Sequence, residues 1–150
     1  MSVWFEGNSH VDCSLSEVAA ALANYAEHCA GVVSHMPGLT SVEIVDQGPD
    51  SVTIKTNEGL MERTNISVHV EQDQAVVEYD EKYQAGSRVT VTSHFVDEFT
   101  RSDNGVTHRL VMSNVTAPGF LGFLYRKLGG SKIGNAFLAS YKAYLETPQG

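Results

Sequence analysis

Basic residues are scarce in this chain: ten Lys and Arg stand against eighteen Asp and Glu, a net charge of −8. The ten are scattered rather than gathered into a run, so nucleic acid is not an expected partner. Cysteine is nearly absent, and the 16-residue spacing of Cys13 and Cys29 matches no metal or redox motif. The two are expected to be reduced thiols that pack as small apolar side chains. No stretch approaches the roughly 18 consecutive apolar residues of a membrane-spanning helix. The opening "MSVWFEGNSH" lacks the charged start and apolar run of a signal peptide, so the expected location is cytoplasmic, with no stable membrane association. No pair among the six histidines has the spacing or the carboxylate company of a zinc site, and neither metal nor cofactor is expected. The triplets "NIS" and "NVT" carry no weight without secretion.

What is present suits one ordinary domain spanning residues 1–150, 42% of them hydrophobic. "VWFEGNSHV" reads as a strand. In the "SLSE" that follows, Ser14 and Glu17 fit a capping box, so a helix should begin there. Its apolar positions Val18, Leu22, Tyr25 and Cys29 recur at helical spacing, and alanines between them permit close approach of a neighbour. "GVVSHMPGLT" breaks the pattern. From Leu39 to Ala117 the period changes to two, with turn signals at "QGPDS", "NEGL", "EQDQ", "QAGS" and "SDNG" marking out a meander of six strands.

Turn chemistry yields a register. A type I′ turn on Asn104 and Gly105 places Asp103 opposite Val106, and therefore Phe99 opposite Leu110, Asp97 opposite Met112 and Phe95 opposite Asn114. One face then collects Phe95, Phe99, Leu110 and Met112. A three-residue loop at Ala85 to Ser87 extends it to Val77, Tyr79, Tyr83, Val89 and Val91. A turn at Asp73 and Gln74 adds Ile66, Val68 and Val70. The reverse face is charged, as in an antiparallel sheet wet on one side.

A long C-terminal helical pattern is left to cover the apolar face. Ile133, Phe137, Tyr141 and Leu145 step by four, and upstream Phe120, Leu124 and Leu128 form a similar stripe behind Pro118. The expected class is α+β, with a strongly curved sheet gripping its last helix and short helices after the first strand.

The strand leading into "SLSEVAAAL", the "HMPGLTSVEIVDQGPDSV" that opens the meander and the closing "FLASYKAYLE" together resemble the START/Bet v 1-like (SRPBCC) superfamily, which includes polyketide cyclase and dehydrase-type proteins. The resemblance spans essentially the whole chain. It implies a helix-grip fold, a seven-stranded sheet around a long C-terminal helix, enclosing a cavity for a lipid, sterol, polyketide or other apolar molecule. Some relatives are cyclases, dehydratases or hydrolases, and many only bind or deliver. On that picture Phe120, Phe123, Leu124, Tyr125 and Leu128 cover the cavity, with Gly119, Gly122, Gly129 and Gly130 as a moving joint. The alternative is that Gly129 and Gly130 simply end one helix before another begins at Ser131.

Polar residues on the face expected to be apolar are the candidates for chemistry. The registers put Thr64, Glu81, Ser93, Asp97, His108 and Asn114 there, with Glu62 at a strand end and Arg63 outward. Glu81 and Asp97 with His108 are chemically sufficient for general acid and base catalysis of enolisation, dehydration or ring closure. An ionised carboxylate so placed needs a partner, water or protonation. The expected ligand contacts are Ile66, Val68, Val77, Tyr79, Tyr83, Val91, Ser93, Phe95, Phe99, Leu110, Met112, Asn114, Phe120, Leu124, Leu128 and Phe137. Binding of a small apolar ligand is the leading expectation. A cyclase-like enzyme and a protein-interaction subunit are the alternatives.

Overall fold

A computed structural model describes residues 2–86, 89–117 and 129–147. The Ser14 hydroxyl accepts from the Glu17 amide at 3.1 Å and the Glu17 carboxylate accepts from the Ser14 amide at 3.1 Å, so the capping box starts a helix as its residues require. That helix, α1 (Leu15–Ala23), does not run on to Cys29. Asn24 leaves helical geometry at φ −115°, ψ 65°, and a second helix, α2 (Tyr25–Val33), starts in a new direction. The break turns His28, Cys29, Val32 and Val33 into the interior.

Around these helices run β1 (Val3–Val11), β2 (Val42–Gly48), β3 (Ser51–Thr56), β4 (Gly59–Val70), β5 (Gln74–Ala85), β6 (Val89–Ser102) and β7 (Gly105–Thr116). All neighbours are antiparallel, in the order β1-β7-β6-β5-β4-β3-β2, and the helix α3 (Gly130–Glu146) lies against β1, β7 and α2. This is the expected α+β helix-grip architecture.

The registers differ from expectation in an instructive way. Phe99 pairs with His108, Asp97 with Leu110 and Phe95 with Met112, each two residues from the turn-based assignment. The β6–β7 turn is centred on Asp103 and Asn104, and Gly105 alone takes a positive φ of 144° there. A shift of two keeps every side chain on its face. Phe95, Phe99 and Leu110 are accordingly fully buried.

Single-residue shifts do the opposite. Asn65 sits at φ 55° in a bulge of β4, and the pairing with β5 slips between Thr64 and Ser67. Before the slip the alternation is reversed. Arg63 is fully buried and Met61 nearly so, whereas Thr64 is exposed, correcting the expected orientation of both Arg63 and Thr64. Asn114, at φ 53° beside the slip between Thr92 and His94, likewise faces solvent instead of the interior, and Ser113 is buried in its stead. Asn is the residue that tolerates this left-handed geometry best after glycine. Past the β4 bulge, Val68 and Val70 are 38% and 51% exposed, because α1 packs on β5 and β6 and leaves that end of β4 uncovered.

Glycine lets α3 approach closely. A Cβ on Gly134 would lie 2.3 Å from ring carbons of Phe5, and one on Gly31 would lie 2.1 Å from the Tyr144 ring. Gly129 and Gly130 open α3, with Gly130 against the Trp4 carbonyl. The upstream stripe of Phe120, Leu124 and Leu128, with Pro118, Gly119, Gly122, Phe123 and Tyr125, lies outside the described residues.

Candidate functional site

The inner face of the sheet carries two joined polar clusters. In the first, Arg63 donates through Nε to Glu81 Oε1 at 2.9 Å and through Nη1 to the Tyr25 hydroxyl at 2.9 Å. Its guanidinium lies 4.3 Å from the centre of the Tyr79 ring, a cation–π contact that is strong where water is excluded. Burial pushes the Glu81 carboxyl up, and Arg63 opposes that shift. Burial by itself would lower the Arg63 pKa, but Cys29, Tyr25, Tyr79 and Glu81 together raise it and keep the side chain charged.

In the second cluster Asp97 takes three donors. His108 Nε2 lies 2.6 Å from Oδ1, and Oδ2 accepts from the Tyr141 hydroxyl at 3.0 Å and the Tyr79 hydroxyl at 3.4 Å. Tyr141 comes from α3, Asp97 from β6 and His108 from β7, so this carboxylate ties the terminal helix to the sheet. The His108 ring stacks on Phe99 with centroids 4.5 Å apart. His28 of α2 packs on Tyr25, Tyr141 and Tyr144, and burial lowers its pKa to about 4. Arg63 Nη2, His28 Nδ1 and His108 Nδ1 are buried without a partner.

The structure divides the three catalytic candidates between the two clusters. Glu81 is bound to Arg63, while Asp97 and His108 are bound to each other and completely shielded from solvent. Of the three, only Glu81 borders a cavity between the sheet and α3. That cavity has a volume of about 180 Å³; Met36, Leu39, Met61, Ile133, Tyr83 and Phe137 form its apolar walls, and Glu58 and Glu81 are its charged groups. Among the described residues, Tyr83 and Phe137 are the expected contacts that line it.

The other expected contacts are distributed elsewhere. Val77, Tyr79, Phe95 and Phe99 are packed with Leu110 and Met112 in the core, and Val91 and Ser93 are buried on β6. Tyr79 stacks on Phe95 at 5.1 Å, and Phe95 meets Phe137 edge-on at 5.3 Å. The middle of the expected hollow is therefore filled by aromatic rings and the Arg63 guanidinium. Ile66 and Val68 line a separate groove of about 630 Å³ beneath the α1–α2 corner. Asn114 does not reach the interior. Phe120, Leu124 and Leu128 lie outside the described residues.

Arg63, Tyr25, His28, Met36, Met61 and Ile133 were not among the expected site residues. The one available signal for Arg63 was Asn65, a residue suited to a bulge in the middle of a strand pattern. Among the described residues no group of three or more His, Cys, Asp and Glu side chains is placed to hold a metal ion, and no helix is long and apolar enough to cross a membrane.

No known family profile matches the sequence, and no curated protein does. Solved structures do match. A STAR-related lipid transfer protein from Xanthomonas axonopodis is 10% identical, with TM-score 0.58 over 95% of this chain and 85% of that one. The di-domain aromatase/cyclase BexL of the BE-7585A biosynthetic pathway is 13% identical, with TM-score 0.56 over 96% of this chain and half of that one. Ara h 8.0201 is 11% identical, with TM-score 0.54 over 94% of this chain and 95% of that one. At such identities the likeness is one of fold.

Proposed function

Starting from the START/Bet v 1-like helix-grip fold that this chain has, we propose that it binds a small, largely apolar molecule between the sheet and α3. The observation that carries the reading is the cavity bounded by Met36, Met61, Tyr83, Ile133 and Phe137, with the Glu81 carboxylate in its wall. Apolar walls with a few fixed polar groups are what small-molecule sites have in common. Burial of an apolar body supplies the affinity, and Glu81, held by Arg63, orients one polar group of the ligand. Methionine walls re-pack readily around different shapes.

Size narrows the occupant. A cavity of about 180 Å³ suits one ring or a short alkyl segment, since about 150 Å³ of apolar space takes a benzene-sized molecule. A sterol or polyketide needs roughly 300 Å³ or more, so it would have to displace Phe137 or the Tyr79 and Arg63 plug. Native mass spectrometry of gently purified protein, followed by titration with substituted benzenes and short alcohols, tests the reading. Saturable one-to-one binding is expected for several of them. Absence of binding across the panel would refute the proposal.

The enzymatic reading retains one residue. Glu81 is a carboxyl at a cavity wall whose pKa burial raises against the opposing pull of Arg63, the direction a general acid requires. Asp97 and His108 serve as internal ties in this reading, so Glu81→Gln is the substitution that must abolish turnover of any substrate found. Full activity in that variant would end the enzymatic reading.

A further inference from the structure

A second cavity lies outside the space between sheet and α3. At the Asn24 break, the end of α1 and the start of α2 form a corner that stands over β2 and the far half of β4. The groove beneath it has a volume of about 630 Å³, within the range of roughly 300–1,000 Å³ typical of small-molecule sites. Its floor is apolar and drawn from three elements: Leu22, Ile44, Ile66 and Val68. Val68 is 38% exposed there, so the floor is wet and a ligand would gain by drying it.

Two features make this more than an uncovered patch. The first is preorganisation. The Tyr25 ring forms one wall and is fixed from behind, because its hydroxyl accepts a hydrogen bond at 2.9 Å from the fully buried Arg63. A wall held in place costs a ligand little ordering on binding. The second is charge. Among the described residues, the polar lining consists of Asn24, Gln47 and Ser51, which are neutral, and Glu27, the lone charged side chain, with no Lys, Arg or His. An anionic head group would meet no counter-charge and a chain of net charge −8, whereas an ammonium group would meet the Glu27 carboxylate.

We propose that the groove under the α1–α2 corner is a binding site of its own, for an amphiphile with an apolar body and a cationic amine head. The site is separate from the sheet–α3 cavity, and the two share no lining residue. Its methyl groups report independently: Ile44, Ile66 and Val68 belong to the groove, and Met36, Met61 and Ile133 to the other cavity.

The test is a methyl-resolved NMR titration of the full chain with octylamine, octanol and octanoate, all below their aggregation limits. Saturable shifts at Ile44, Ile66 and Val68 are expected, with octylamine about two- to fivefold tighter than octanoate, the effect of one exposed ion pair. In Glu27→Gln, an exposed position, the preference of octylamine over octanol should fall to near unity. Equal or tighter binding of octanoate, shifts that do not saturate, or an amine preference unchanged in Glu27→Gln would each overturn the proposal. Shifts confined to Met36, Met61 and Ile133 would overturn it too while leaving the sheet–α3 site intact.

Discussion

Arg63 is the residue on which the interior turns, since its guanidinium lies completely buried between Glu81, Tyr25 and the Tyr79 ring. Replacing it by Met strands the Glu81 carboxylate without its partner and should cost about 3–5 kcal/mol in urea unfolding. Replacing both, as Arg63→Met with Glu81→Leu, removes the unpaired charge and should recover most of that loss. A double variant less stable than the Arg63→Met single would contradict this account. His28 makes a second residue-scale prediction. Burial holds its folded pKa near 4, against an ordinary 6.5, so the unfolded chain binds the extra proton first. Its contribution is complete above pH 6.5 and is lost as pH falls toward 4, about 3 kcal/mol in all. His28→Phe should flatten the pH dependence of unfolding in that window, and an unchanged slope would contradict the assignment. His94 works in the opposite sense. Burial disfavours its charge, but hydrogen bonds to Asp80 and Glu78 outweigh that and raise its pKa, so its stabilisation is lost as pH rises.

Packing of the terminal helix decides what glycine is for in α3. In an exposed helix interior, Gly→Ala gains about 1 kcal/mol. At Gly134 the new methyl would meet the Phe5 ring at 2.3 Å, so Gly134→Ala should instead lose about 1–3 kcal/mol through displacement of β1 or the ring. A raised melting temperature would show that α3 does not press on β1 as described. The strands carry the clearest lesson on what their residues reveal. Hairpin registers derived from turn residues were displaced by two, which left Phe95, Asp97, Phe99, His108 and Leu110 on the correct face. The bulges at Asn65 and Asn114 each displaced a register by one, and these hid Arg63 and misplaced Asn114. Alternation of side chains records parity but not position, so only an odd slip reverses a face. Likewise the α1–α2 break is invisible to helical periodicity, because Val18 and Leu22 before it and Tyr25 and Cys29 after it keep one apolar residue every three or four positions.

At the scale of the molecule, element order and periodicity led to a strand, a helix, a six-strand meander and a C-terminal helix under one curved sheet, and the family resemblance implied the seven-stranded helix-grip arrangement that the structure has. The fill of that grip was not legible, since it depends on how far Tyr79, Phe95, Phe137 and Tyr141 interdigitate, and no periodic pattern encodes volume. The central space holds a charged and aromatic plug, and the open volume lies at its margins. Small ligands should therefore bind beside the plug rather than through it. The most direct measurement is ligand affinity in wild type and in Met61→Phe, which adds bulk to the sheet–α3 cavity and leaves the groove under the α1–α2 corner untouched. For a substituted benzene that wild type binds, the substitution should cost at least tenfold in affinity. Equal affinity in the two proteins would place the ligand elsewhere and contradict the central claim.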